Sequence, residues 1–270
     1  MCKLFFIIAF SLFSVSTIAQ DIFTVSGAKS TALGMTGVCQ TDVWSVQNNQ
    51  AGLAFLEKPS LGVFYDNRFG LKETSLKNAA FALPTKSGTF GLAVNYFGYK
   101  LFNQSRIGLA YGKRLSEKIS IGIQLNYLQT VTGENYGKSG ALAAEIGFYS
   151  KISKNTSFAT HIFNPTRAKV SKYYNEQYPT LIKLGFLNKF SDKTNITIEL
   201  QKDLNFKPSV NGGIEYHLAK PIYIRLGISS NPFYNTFGIG LEFNRFVIDF
   251  SARYHSMLGL SSQFSLNYKL

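Results

Sequence analysis

Three histidines and one internal cysteine are the side chains in this 270-residue sequence best suited to bind a metal ion. His161, His217 and His255 lie far apart, and no two of them have the spacing that zinc ligands show. Cys39 has no second cysteine at the distance of a zinc-binding pair. The sequence therefore predicts no metal site, and no other motif predicts a cofactor.

The segment GENYGKS, residues 133–139, is the stretch most similar to a phosphate-binding loop. A Walker motif has four residues between its two glycines, whereas Gly133 and Gly137 enclose three. No serine stands in a GxSxG motif, so the sequence also lacks a nucleophile elbow. We therefore expect a protein that is not an enzyme. A catalytic set assembled from residues on different strands is the alternative that this pattern leaves open.

Most of the remaining ionisable residues lie in segments where polar and apolar residues alternate. In KISIGIQLNYLQ (118–129), Ile121 and Ile123 fall on one face, while Gln124 and Asn126 fall on the other. A period of two indicates β-strands. Such segments run near residues 60–67, 74–84, 88–98, 104–114, 117–129, 139–150, 155–164, 178–190, 194–203, 208–218, 221–230, 233–244, 246–255 and 261–270. Most have the length of about 9–11 residues that a tilted strand needs to cross an outer membrane.

The polar faces of these strands carry ionisable residues of both signs. The candidates for the inside of a barrel are Arg106, Glu145, His161, Lys183, Glu199, Glu215, His217, Arg225, Glu242, Asp249 and Arg253. Because acids and bases are both present, ion pairs and hydrogen bonds between neighbouring strands can satisfy them. We expect most of them to fill and stiffen the lumen, and contact with a solute is the alternative for each.

Composition and connections favour a transmembrane antiparallel β-barrel of about 14 strands over residues 59–270. Charged residues make up 16 % of the chain and aromatic residues 15 %, an unusual balance for a water-soluble domain. Short turns such as 115–118 alternate with longer links such as 130–139 and 164–178, as in outer-membrane barrels. Aromatic residues also gather near strand ends on the apolar faces, which is typical of the two membrane interfaces. The rival fold is a soluble sandwich or a lipocalin-like barrel, with its apolar face inside.

The N-terminus predicts export. Lys3 precedes a short apolar run, and Ala19 ends a small-x-small cleavage signal, so residues 1–19 are expected to be a signal peptide. Loss of Lys3 would lower the net charge from +13 by one, to +12. We expect the outer membrane of a Gram-negative bacterium, with lipid and lipopolysaccharide as partners and no nucleic acid.

The segment between leader and barrel, residues 20–58, is predicted to be a plug at the periplasmic mouth. Its sequence SGAKSTALGMTGVCQTDVWSVQNNQAGLAF (26–55) resembles the N-terminal segment of FadL-like outer-membrane proteins, and more closely that of the PorV/PorQ-like branch of Bacteroidetes. The residues that carry the resemblance or are expected to anchor the plug are Gly27, Ala28, Leu33, Gly34, Asp42, Trp44, Asn48, Asn49, Ala51 and Gly52. Lys29 and Gln50 depart from the pattern, which has Arg and Pro at these positions.

The resemblance implies two functions. One is a conduit for small hydrophobic solutes, gated by the plug. The other is a role in protein secretion, of the type IX kind that PorV/PorQ-like barrels serve, in which the barrel docks or shuttles exported proteins. The plug-like segment favours the conduit, whereas the lack of a recognisable substrate pocket favours docking.

Overall fold

The chain folds into one closed antiparallel β-barrel with the described part of its N-terminal segment inside. The structure, a computed structural model, describes residues 25–133, 137–169 and 177–270. Its strands are β1 (Ser60–Asn67), β2 (Leu76–Pro84), β3 (Thr89–Gly98), β4 (Phe102–Arg114), β5 (Ile119–Thr132), β6 (Gly137–Lys151), β7 (Thr156–Phe163), β8 (Leu181–Ser191), β9 (Thr194–Asp203), β10 (Ser209–Ala219), β11 (Ile222–Ser230), β12 (Phe233–Phe243), β13 (Phe246–His255) and β14 (Gly259–Lys269). Each strand pairs with its sequence neighbours, and β1 pairs with β14 to close the ring. This confirms the predicted fold, with strand limits within three residues of those expected.

The two faces of the sheet are inverted relative to a water-soluble barrel. On β5, Ile123 and Leu125 are 58 % and 56 % exposed, whereas Gln124 and Asn126 are buried. The same alternation recurs on the other strands. An apolar outer face and a polar interior suit a sheet surrounded by lipid, and they exclude the soluble sandwich.

The two ends of the barrel differ in their connections. At the end where β1 begins and β14 stops, the links are 85–88, 115–118, 152–155, 192–193, 220–221 and 244–245. We call this the inner end, because short turns lie on the periplasmic side of such barrels. At the outer end the links are 68–75, 99–101, 133–136, 164–180, 204–208, 231–232 and 256–258. The predicted long link 130–139 is shorter than expected, because β5 and β6 pair as far as Thr132 and Gly137.

Within the barrel, the described part of the plug forms α1 (Ala28–Ala32), α2 (Ser45–Asn48) and a 3-10 helix (Gln50–Phe55). Helix α1 packs against β12 and β13, while the 3-10 helix packs against β4 and β5. None of the described helices is long and apolar enough to cross a membrane. The predicted signal peptide and its cleavage site lie outside the described residues.

Glycines allow the plug backbone to touch the wall. Gly34 has a φ of +72°, and a Cβ there would lie 2.3 Å from the carbonyl oxygen of Gly212 and 2.4 Å from that of Ile228. Gly213 and Gly227 bring the wall close to the same point, since a Cβ on either would meet backbone atoms of the plug. A side chain at position 34 would therefore force plug and wall apart.

We expect Gly34→Ala to loosen the plug. The matched control is Gly70→Ala, because Gly70 also has φ +72°, so both variants place an alanine at a positive φ. A Cβ at Gly70, however, meets nothing within 4 Å. The shared backbone cost is about 1 kcal/mol, and only the variant at position 34 adds a clash. Cys39 is 4 % exposed in the plug, so maleimide labelling of this thiol, mapped by mass spectrometry, measures plug displacement. Labelling should be faster in Gly34→Ala than in Gly70→Ala; equal rates would contradict this contact.

Candidate functional site: the plug and the wall that holds it

The plug residues that were singled out in the sequence lie inside the barrel. Those that are buried are Gly27, Ala28, Leu33, Gly34, Trp44, Asn48, Asn49, Ala51 and Gly52. Asp42 is half-buried, and its Oδ1 accepts a hydrogen bond of 2.9 Å from the backbone N–H of Trp44. Desolvation raises the pKa of the Asp42 carboxyl, while the nearby charge of Lys29 opposes this rise. The hydrogen bond fixes the start of α2.

Trp44 is 1 % exposed and contacts the wall through its ring. Its centroid lies 5.8 Å from that of Phe64 on β1, in an edge-to-face arrangement. Glycines make the space for this ring: a Cβ at Gly27 would lie 2.6 Å from Trp44 Cδ1, and one at Gly62 would lie 3.0 Å from Cζ2. Apolar burial of this size makes Trp44 a strong anchor of the plug on the β1 side.

Two asparagines connect separate parts of the plug, and one of them, Asn49, also bonds to the wall. Asn48 Oδ1 accepts from the N–H of Ser26, and Asn48 Nδ2 donates to the Ser26 carbonyl, each at 2.9 Å. Asn49 Nδ2 donates to the carbonyl oxygens of Val38 at 2.9 Å and of Phe148, on β6, at 3.2 Å. These amides pair with buried backbone groups that lie outside the short helices.

Gln50 is the direct link from the plug to a buried carboxylate. Its Nε2 donates to Gln124 Oε1 at 2.6 Å and to Glu145 Oε2 at 2.8 Å. The same Glu145 pairs with Arg106 through Oε1, and His161 Nε2 lies 2.8 Å from Oε2. The wall thus offers an ionic cluster, and the plug inserts a neutral amide into it.

Glu199 makes a second direct link, through backbone amides. Its Oε2 accepts from the N–H groups of Gly37 at 2.7 Å and of Val38 at 2.9 Å. Two successive amides that converge on one oxygen form an anion-binding concavity. Here the anion is supplied by the wall and the concavity by the plug.

The other candidate lumen residues divide into a buried set and a set at the rim. Arg225 bridges Glu215 at 2.7 Å and Asp249 at 2.6 Å, and Lys29 of the plug lies 3.7 Å from Glu215. Arg253 is buried with its guanidinium 3.6 Å from Asp66 Oδ2.

Lys183 is buried opposite His161 in the register of β7 and β8. His217 and Glu242 are only half-buried at the inner end, where His217 stacks on Tyr223 and Glu242 pairs with Lys269. These two residues are therefore apart from the enclosed cluster.

Several polar residues in the interior escaped the sequence analysis. Gln47 Oε1 accepts from Asn95 Nδ2 at 2.9 Å and from Asn78 Nδ2 at 3.3 Å, and Asp66 pairs with Arg68 at 3.1 Å. The alternation in β1, β2 and β3 does place Asp66, Asn78 and Asn95 on the inner face, so that signal was present. No three His, Cys, Asp or Glu side chains among the described residues are grouped to hold a metal ion.

We expect Gln50→Pro to fold and to loosen the plug. Asn49 is extended (φ −170°, ψ 106°) and Gln50 is the first residue of the 3-10 helix, so proline fits the backbone at this position. Loss of the Gln50–Glu145 hydrogen bond acts on the seated plug, which loses about 1.5–3 kcal/mol of stability. The displaced plug is then populated about tenfold more or higher, and Cys39 should be labelled faster by the same factor.

Gln50→Ala should match Gln50→Pro, while Thr41→Ala, at an exposed plug position, should label like the unaltered protein. A normal labelling rate in both Gln50 variants would show that this side chain does not hold the plug.

Comparison with known proteins agrees with this architecture. No protein-family model and no curated protein matches the sequence. Among solved structures, the toluene transporter TbuX of Ralstonia pickettii has a TM-score of 0.72 at 11 % identity, covering 92 % of this chain and 99 % of TbuX. The CymD monoaromatic hydrocarbon channel has a TM-score of 0.73 at 13 % identity, covering 93 % and 99 %. A FadL homologue of Pseudomonas aeruginosa has a TM-score of 0.62 at 12 % identity, covering 90 % and 98 %. The chain therefore has the fold of FadL-like outer-membrane β-barrels, with fourteen strands around an N-terminal plug.

Proposed function

We propose that the protein is an outer-membrane conduit for small hydrophobic solutes, gated by its plug. The observation that carries the proposal is an apolar lining at the outer end of a barrel whose middle is polar. The inward-facing residues there are Leu76, Phe97, Phe102, Leu128, Phe163 and Leu181. A barrel that serves only polar solutes has no use for apolar residues at its outer end. An apolar solute that arrives from outside the cell is stabilised by them.

The described ends of the link 164–180 pack on this apolar cluster through Ala168 and Tyr178. Tyr178 is 3 % exposed within the apolar cluster, and its hydroxyl lies 3.0 Å from Thr130 Oγ1. Asn164 holds the base of the link, since its Nδ2 donates to the Tyr178 carbonyl and its Oδ1 accepts from the N–H of Ala168. A buried apolar cluster at the outer end supports uptake of an apolar solute.

The contacts between plug and wall suit a gate. The bonds made by Gln50, Glu199 and Asn49 are polar, and water can replace them when the plug moves. The similar structures are described as a toluene transporter and a monoaromatic hydrocarbon channel. Together these points favour a monoaromatic hydrocarbon as the solute, with lipid and lipopolysaccharide around the barrel and no covalent step.

A reversible disulfide between plug and wall tests the gate. A Cβ at Gly91 would lie 2.9 Å from Val46 Cγ2, so Val46→Cys with Gly91→Cys should be able to form a bond. The pair is made in a Cys39→Ala background. Uptake of labelled toluene by cells of a Gram-negative host without other FadL-like channels should fall to the level of the empty host when oxidised. Dithiothreitol should restore it.

Each single cysteine variant, treated in the same way, controls for the substitutions themselves. Equal uptake in the oxidised and reduced forms would contradict gating by the plug. Uptake no higher than in the empty host, in both redox states and in the unaltered protein, would contradict the conduit.

The second candidate is docking of exported proteins, as in PorV/PorQ-like barrels. The observation that favours it is the short outer rim, where the links 99–101, 231–232 and 256–258 have two or three residues each. Such a rim can approach a folded partner closely. Crosslinking from 231–232 in intact outer membranes should then recover a secretion component or a surface protein, and its absence would remove the main support for docking.

A further inference from the structure

The inner end of the barrel contains a cleft that the plug leaves open between β6 and β10. It consists of two adjoining cavities, of about 300 Å³ and about 350 Å³. The two share Asn155, Lys189, Asn195 and Glu215 in their linings, so they form one continuous space. The apolar cluster at the outer end is separate from this cleft, and among the plug–wall contacts described above the Lys29–Glu215 pair borders it.

The floor of the cleft is apolar and aromatic. The plug contributes Leu33, Cys39 and Phe55, and the wall contributes Tyr149 and Leu187. The rings of Phe55 and Tyr149 lie 5.0 Å apart at a tilt of 55°. Such a floor offers dispersion contacts and desolvation to one flat ring or one short chain.

The rim of the cleft is cationic, and two of its lysines point inward by strand geometry. Lys151 follows Tyr149 on the inner face of β6, and Lys189 follows Leu187 on the inner face of β8. Lys154 adds a third ammonium group from the turn 152–155. Their alternation directs Lys151 and Lys189 toward the cavity and away from the lipid.

Among the described residues, these three ammonium groups have no acid partner. No carboxylate in the described part of the chain lies within ion-pair distance of Lys151, Lys154 or Lys189. Two acids line the cleft, Glu215 and Asp192, against five lysines. Glu215 is already paired with Arg225 at 2.7 Å. The cleft therefore carries a local excess of positive charge at its mouth.

Two cations contact the Phe55 ring of the floor: the Arg114 guanidinium lies 4.8 Å from its centroid, and Lys151 of the cationic rim lies closer. The ammonium nitrogen of Lys151 lies 4.3 Å from the ring centroid of Phe55, in cation–π geometry. This holds a positive charge directly beside the surface on which an apolar body would lie. The spacing suits a molecule with an anionic group one or two bonds from its ring.

We propose that this cleft is a binding site for a small amphipathic anion, a carboxylate attached to one aromatic ring or one short chain. The ring or chain lies on Phe55, Tyr149 and Leu187, and the carboxylate meets Lys151 and Lys189. Cations are repelled, neutral analogues lose the ionic contacts, and a long lipid exceeds the space. The proposal goes beyond the conduit function, because it concerns an anionic ligand at the inner mouth and the solute proposed for the conduit is a neutral hydrocarbon.

Isothermal titration of the full barrel in detergent tests binding without transport. Phenylacetate is the probe, and 2-phenylethanol is a neutral analogue of similar size. Loss of one exposed ion pair lowers binding affinity by a factor of a few. Lys151→Gln and Lys189→Gln should therefore each weaken phenylacetate binding about threefold. The double variant should weaken it about tenfold, and 0.5 M NaCl should largely remove the difference.

The matched control is Lys86→Gln, which removes an exposed lysine from another inner turn outside the cleft. It should leave the affinity unchanged, and none of the variants should alter 2-phenylethanol binding. Equal affinity of the unaltered protein for both probes, or equal losses in Lys86→Gln and the double variant, would overturn the site. Normal phenylacetate binding in a protein that fails the toluene uptake test would reject the conduit and retain the site.

Discussion

The pairing of β1 with β14 closes the sheet, and the rest of the structure follows from that closure. A closed sheet leaves no edge N–H or C=O group facing hydrocarbon, which is the condition for strands to cross a membrane. Closure also creates an interior that has to be filled, because empty space forfeits dispersion contacts. In this chain the filling comes from the plug and from inward polar side chains. The apolar residues that alternate with them along each strand point outward, toward the lipid.

Filling with charged groups ties the plug and the wall to each other. A buried carboxylate is costly unless its oxygens are satisfied, and removing one partner of a buried pair costs about 3–5 kcal/mol. Glu145 has Arg106 in the wall, but Glu199 has its hydrogen bonds, within the described part of the chain, only from plug amides. If the plug withdraws, water has to reach Glu199 as the amides leave. Movement of the plug and hydration of the lumen are thus one coupled event.

The fold was predictable from the sequence because its signal is local and repeated. Alternation over a few residues defined every strand, and the same parity placed Glu145, Arg225 and Asp249 on the inner face. The contact between Gln50 and Glu145 was not predictable, because it joins residues 95 apart whose approach depends on how the closed barrel seats the plug. The link 130–139 was misjudged for a related reason: cross-strand pairing extends β5 and β6 into a stretch with weak alternation.

Gln50 shows how one departure from a sequence pattern changes what holds the plug. The pattern has proline here, and the extended Asn49 before the 3-10 helix would accept either residue, so the turn itself does not need glutamine. Proline would reduce the conformational entropy of the unfolded chain, whereas glutamine adds an amide that donates to the wall cluster around Glu145. The plug is thereby held through β5 and β6, on the side where the cleft begins, at Tyr149 and Lys151. A shift of the plug at this point would move Phe55, five residues on, and so connect the polar link to the floor of the inner mouth.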